Sequence, residues 1–172
     1  STHRGTLFPY TTLFRSRSHI HDFDFLFGHW EVKHRRLVSR GVGSDDWDIA
    51  HGTAFTEPRM GGIANIEQHD CPERGWRGVS LRTLNLATDE WSIYWISDRN
   101  GRLTPPVVGR FHDEGCRLEG PDIDGERPIL ARFEWSRVNT ETPRWAQHFS
   151  YDDGRAWEQI GRASCRERVC LY

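Results

Sequence analysis

From about residue 30 onward the chain is interrupted by turn signals at short, fairly even intervals. They read Glu57-Pro58-Arg59-Met60-Gly61, Cys71-Pro72-Glu73-Arg74-Gly75, Asp98-Arg99-Asn100-Gly101, Asp124-Gly125 and Asp153-Gly154. Glycine supplies positive φ, proline presets φ, and Asn and Asp bond their own backbone, so each of these clusters turns the chain for its own reason. Segments of strand length lie between them: Trp30–Val38, Trp47–Glu57, Gly62–His69, Trp76–Leu84, Trp91–Ser97, Pro106–His112, Arg117–Glu119, Pro128–Trp135, Arg144–Ser150 and Ala156–Gln159. Eight tryptophans and nine phenylalanines, mostly within these segments, suit a pleated, half-buried surface. Many short strands at this spacing mean a sandwich or a barrel. Closure into a barrel is the direct way to remove exposed edges. One short helical or 3₁₀ candidate, His21–Gly28, precedes the first strand. The expected fold is therefore all-β: an antiparallel barrel of about 8–10 strands with a short N-terminal plug helix.

The two ends read differently from the rest. Thr6 to Ser16 (TLFPYTTLFRS) is the in-frame translation of a common short-read sequencing adapter, and Ile160 to Val169 (IGRASCRERV) is the translation of its reverse complement. Two strings from one oligonucleotide, one at each end, divide the chain into a foreign tail over 1–16, a barrel over 17–159 and a second foreign tail over 160–172. On this reading the natural termini, and any leader peptide, lie outside the sequence. The C-terminal tail has no proline and alternates Ala163 and Cys165 with Arg162, Ser164 and Arg166. Gly161 to about Arg168 is therefore expected to extend the last strand and partly close the barrel, with a loose seam at the small Ala163 and Cys165.

Charge and composition exclude some classes. The net charge is −2; Arg4, Arg15, Arg162, Arg166 and Arg168 against Glu167 give the two tails +4, leaving about −6 on the remainder. That is not a nucleic-acid footprint, which would be basic. No apolar run approaches the roughly 18 residues of a spanning helix, so no membrane partner is expected. Cys71 and Cys116 are too few and too far apart for a disulfide framework or a zinc site, and a reduced, cytoplasmic setting is the default.

Asp22-Phe23-Asp24-Phe25-Leu26-Phe27-Gly28-His29-Trp30 resembles the opening of lipocalin-like (calycin) barrels, in which a short helix plugs one end and Gly-x-Trp starts the first strand. His34-Arg35-Arg36-Leu37, Arg77-Gly78-Val79-Ser80-Leu81-Arg82, Trp91-Ser92-Ile93-Tyr94-Trp95 and Trp145-Ala146-Gln147-His148-Phe149-Ser150 are similar to stretches of a family of uncharacterised bacterial lipocalin-like domains. The resemblance spans most of Phe23 to Trp157. It implies a fold and brings no catalytic residues, since the family's function is unknown.

Inward and outward side chains alternate along a barrel strand. The turn after His69 would pair Asn65 with Ser80 and Glu67 with Gly78. The turn after Leu84 would pair Arg82 with Ile93 and Ser80 with Trp95. One face then carries Asn65, Glu67, Ser80, Arg82, Trp91, Ile93 and Trp95; another carries Phe133, Trp135, Trp145, Gln147 and Phe149; the first strand adds Trp30, Val32, His34 and Arg36. A few polar groups among aromatics is the composition of a small-molecule pocket. The candidate ligand-binding residues are His34, Arg36, Asn65, Glu67, Arg82, Trp91, Trp95, Trp145 and Gln147. A slip of one residue would turn the same set into an outer wall of cross-strand ion pairs.

The remaining motifs carry less. His19-x-His21 has no third ligand spaced to converge with it, and no metal is expected. His51, His69, His112 and His148 read as surface or hairpin residues. Glu67 and His34 could form a general acid–base pair, but pairing of Glu67 with Arg82 is the preferred reading. Asp122-Ile123-Asp124-Gly125 lacks the glutamate of a calcium loop. Ser150-Tyr151-Asp152-Asp153-Gly154-Arg155-Ala156-Trp157 matches the Asp-box, S-x-D-x-G-x-x-W, a motif that stabilises a hairpin. The expected function is binding of a small, partly apolar molecule without a cofactor. A cofactor-independent lyase or isomerase on the same barrel and a haem barrel with His34 as axial ligand are the rivals. Association into a homodimer is compatible with either.

Overall fold

A computed structural model of the chain describes residues 16–112 and 115–168. The tail expected over 1–16 therefore lies, Ser16 apart, outside the described residues, as do 169–172. Ten strands follow in order: β1 (Gly28–Leu37), β2 (Trp47–Arg59), β3 (Ala64–Cys71), β4 (Trp76–Asn85), β5 (Glu90–Ser97), β6 (Val107–His112), β7 (Gly115–Asp124), β8 (Arg127–Ser136), β9 (Arg144–Ser150) and β10 (Glu158–Arg168). Each pairs antiparallel with its neighbour in sequence, and β10 closes on β1, so the sheet is one all-β barrel with no free edge strand. The turn clusters sit where positive φ is needed, as at Gly75 (φ 58°), Gly125 (φ 65°) and Gly154 (φ 85°).

The plug differs in detail from the expected helix over His21–Gly28. It consists of two 3₁₀ turns, Ser16–His21 and Asp24–Leu26. The second drives Phe23 and Leu26, both fully buried, into one end of the barrel. There Phe23 meets Trp91 and Phe111 edge-on, with ring centroids 4.9 and 4.8 Å away. The Gly28-x-Trp30 signature has a physical role: the Trp30 indole N–H donates to the Leu26 carbonyl at 2.8 Å, tying the plug to β1.

Two strands are longer than their sequence signals. The expected strand ends at Glu119, yet β7 runs on through Gly120 and Pro121 to Asp124. Pairing of β6 with β7 stops at Glu119, so Pro121 lies on a stretch bonded only to β8. Proline is tolerated in such edge positions. β10 runs from Glu158 through the segment read as foreign, pairing Ala163 with Trp145 of β9 and with His34 of β1. Backbone groups make the ladder, so period-2 alternation with no proline suffices. Ile160 and Cys165 point inward and are buried, while Arg162 and Arg166 are exposed.

The Asp-box acts as a brace for the β9–β10 turn. Ser150 Oγ accepts from the Gly154 N–H and donates to Asp152 Oδ1, which also accepts from the Ala156 N–H at 2.9 Å; the Trp157 indole N–H donates to the Gly154 carbonyl. Asp124, in the calcium-like stretch, accepts from the Tyr151 hydroxyl at 2.8 Å and faces Arg40 at 3.2 Å. No helix among the described residues is long and apolar enough to cross a membrane.

Candidate functional site in the barrel lumen

The register decides which side chains share the lumen. Arg82 pairs with Ile93 and Ser80 with Trp95, as the β4–β5 turn implies. Across β3–β4 the partners are Asn65 with Arg82 and Glu67 with Ser80, two residues from the expected pairing. A shift of two preserves the faces, and Asn65, Glu67, Ser80, Arg82, Trp91 and Ile93 are all buried. Phe133 pairs with Gln147 and Trp135 with Trp145, which brings the β8–β9 face opposite.

Above the plug these walls enclose a cavity of about 120 Å³. Seven of the nine residues expected to bind ligand line it: His34, Arg36, Glu67, Arg82, Trp95, Trp145 and Gln147. Asn65 and Trp91 point inward but lie beyond its wall. Asn65 Oδ1 accepts from Arg82 at 2.9 Å, and Trp91 is consumed by the plug, its indole N–H donating to Asp22 at 3.1 Å. Val32, His69, Trp76, Ser80, Ile93, Phe133, Trp135, Ala163 and Cys165 complete the lining. Trp95 reaches its place because Gly78 has no side chain: a Cβ there would stand 2.1 Å from the indole. Larger depressions on the outside, of about 1020 and 940 Å³, are open to solvent and lined largely by outward-facing side chains such as Lys33 and Arg144.

His69 corrects the reading of it as a surface or hairpin residue. It follows Glu67 by two positions and shares its inward face; β3 continues to Cys71, so the strand does not end at His69. The alternation Asn65, Glu67, His69 was the available signal. His69 Nε2 lies 3.2 Å from Glu67 Oε2, and Glu67 also binds the Arg82 guanidinium. Burial alone would raise the Glu67 carboxyl. The charge of Arg82, helped by His69, outweighs it and holds the group well below the usual carboxylate range. The preferred pairing of Glu67 with Arg82 is thus what the lumen contains. His34 makes no hydrogen bond to Glu67. Its ring packs edge-on to Trp76 at 5.2 Å and lies 6.2 Å from His69. Burial, reinforced by His69 and Arg36, lowers its pKa to about 3, so the imidazole is neutral in ordinary buffers.

Several polar nitrogens on this wall, His34 Nε2, His69 Nδ1 and Trp135 Nε1 among them, have no partner among the described residues. His69 Nε2 faces the Glu67 carboxylate, so that nitrogen carries a proton, and Nδ1 is the ring nitrogen left without a partner among the described residues. Buried polar atoms ordinarily find partners, and those that do not call for an explanation. By contrast, the histidines near the plug are engaged: His19 faces Asp22 at 3.2 Å and His21 faces Asp24 at 2.8 Å. Cys71, Cys116 and Cys165 are free thiols, and burial pushes the latter two up to about 12. Among the described residues no three His, Cys, Asp or Glu side chains converge as metal ligands.

The cavity opens away from the plug. His34, Arg36, Trp76 and Trp95 line both it and an outer vestibule of about 320 Å³, which also carries Arg40, Asp48, Arg74 and Arg99. No protein-family model matches the chain, and a search of curated proteins finds no match.

Proposed function

We propose that the chain binds a small, partly apolar molecule in the barrel lumen, in the manner of the lipocalin-like domains its sequence resembles. The carrying observation is a cavity, open at the mouth, walled by Trp76, Trp95, Trp135 and Trp145 in which buried nitrogens of His34, His69 and Trp135 have no partner among the described residues. Apolar walls with a few convergent polar groups are the composition of a ligand site. A cavity near 120 Å³ accommodates about one six-membered ring, judged against the ~150 Å³ of a cavity known to take benzene. The tryptophans themselves report on the test. One-ring compounds titrated into the protein should quench or shift tryptophan fluorescence saturably, and Trp95→Ala should abolish most of that response. A panel that leaves both the fluorescence and the melting temperature unmoved would remove the reading.

A catalytic version has one observation in its favour. Glu67, kept ionised by Arg82, orients His69 so that Nδ1 is unpartnered on the cavity wall, the arrangement of a general base. Product formation from bound compound, lost in His69→Gln while binding persists, separates an isomerase or lyase from a binder. The haem version is disfavoured by size, because a macrocycle does not fit a one-ring cavity. A Soret band in the purified protein would overturn that.

A further inference from the structure

We infer that the lumen takes a monoanion: a carboxylate carrying about one ring, entering through the vestibule and seating its carboxylate against Arg36. The inference rests on the binding reading above and names its ligand class.

The vestibule concentrates positive charge on a chain whose net charge is −2. Arg36, Arg40, Arg74 and Arg99 line it, and Asp48 is the one carboxylate residue among its described lining. A mouth of one sign above a low-dielectric cavity focuses the field and draws in counter-ions. Two of these arginines are already neutralised: Arg74 forks onto Asp48, with Nε at 2.7 Å, and Arg40 faces Asp124. Arg99 is exposed and donates to the Arg74 carbonyl at 2.8 Å.

Arg36 differs from them. It stands where cavity and vestibule meet, since its side chain lines both. Its guanidinium donates to the Gln147 amide oxygen at 3.3 Å, lies 6.0 Å from the Trp145 ring and has no carboxylate partner among the described residues. The other lumenal arginine, Arg82, has Glu67 and Asn65. Arg36 is half-buried, so its charge is partly withdrawn from water with no counter-ion, which is costly in proportion. Burial, with Arg40 and Arg99 adding repulsion, accordingly depresses the Arg36 pKa. A carboxylate would supply the missing charge, and guanidinium forks match carboxylates in geometry. From that anchor the rest of the molecule extends between Trp76, Trp95 and Trp145, which have room for a ring and little more. One uncompensated guanidinium at the junction calls for one negative charge.

Calorimetric titration of the full chain with phenylacetate, benzoate and 3-phenylpropionate, each beside its methyl ester, tests this. The acids should bind about tenfold or more tighter than their esters, the scale of one charge-assisted contact. Arg36→Gln should erase that preference, lowering acid affinity about tenfold and ester affinity by much less. If Arg36→Gln fails to fold, Arg36→Lys keeps the charge but loses the fork. It should retain a reduced preference for acids, and rising salt should weaken acid binding to wild type alone of the two ligand types. Esters binding as well as acids, or unchanged acid affinity in Arg36→Gln, would overturn the anion inference and leave the lumen as a neutral-ligand site. Absence of binding by acids and esters alike would instead remove the binding reading itself.

Discussion

The plugged end and the open end of the barrel treat charge and aromatic surface in opposite ways. At the plug, Phe23 is clamped between Trp91 and Phe111, Arg82 lies beneath it with the guanidinium 5.1 Å from the ring, and that charge is met by Glu67 and Asn65. At the mouth, Trp76 and Trp95 are only partly buried, and Arg36 has an amide oxygen where Arg82 has a carboxylate. Two arginines that face the same lumen thus have different work. One closes a structural network and the other is left available. Arg36 keeps partial contact with solvent at the mouth, so the fold does not require a carboxylate for its charge, whereas the fully buried Arg82 does.

The largest expected effect breaks the paired end. Glu67→Leu leaves the Arg82 charge buried without its counter-ion and should lower stability by about 3–5 kcal/mol in urea unfolding. A loss below about 1 kcal/mol would mean that Arg82 reaches water and that the two ends are not distinct. Phe23→Ala should follow closely, at about 3–4 kcal/mol, because it empties a ring site held by two edge-on partners. An unchanged melting temperature would show the plug to be ornamental to the fold.

Gly78→Ala acts on the open end. Its methyl would collide with the Trp95 indole, which must move. A cost of about 1–3 kcal/mol is expected from overpacking, together with a shift in the Trp95 emission. Ligand affinity should fall with it, and a variant that keeps native emission and affinity would place Trp95 elsewhere.

The dependence on pH separates the same regions. Folded His34 stays neutral down to about pH 3, whereas its ordinary pKa is 6.5. Between those values the unfolded chain binds the extra proton, so stability falls as pH drops, by at most about 1.4 kcal/mol per pH unit. Glu67, whose folded pKa is depressed, adds its own loss only as pH falls through and below the ordinary carboxylate range. Between pH 6.5 and 5, then, His34→Phe should flatten the stability profile of the wild type, and parallel profiles would show that His34 is hydrated. Smallest of all, Arg36→Gln should change stability by less than about 1 kcal/mol in either direction, since no carboxylate is orphaned. A loss comparable to Glu67→Leu would erase the contrast between the two arginines.

Much of the fold is legible because turn chemistry and period-2 alternation are local. The bounds of β9 match the sequence reading, and the lumenal face survives a two-residue error in the β3–β4 register, since parity is all that a face requires. Local signals fail where neighbours decide. The expected strand stops at Glu119, yet β7 passes on through Gly120 and Pro121: the β6 ladder ends at Glu119, and Gly120 admits the close Pro106–Val107 backbone. His69 sits beside a turn in the sequence and inside the lumen in space.

What the sequence by itself determined is therefore an antiparallel barrel of about 8–10 strands, the position of most turns and, His69 apart, the parity of the lumenal face. Tertiary structure alone decided which inward residues line a cavity. Asn65 and Trp91 alternate like the others, but Arg82 and the plug claim them. It also decided that Arg36 lacks the carboxylate that Arg82 has. Closure of β10 onto β1 and the stagger of strands around the barrel set which charges meet, and those distances run between residues far apart in the chain, where no local pattern can record them.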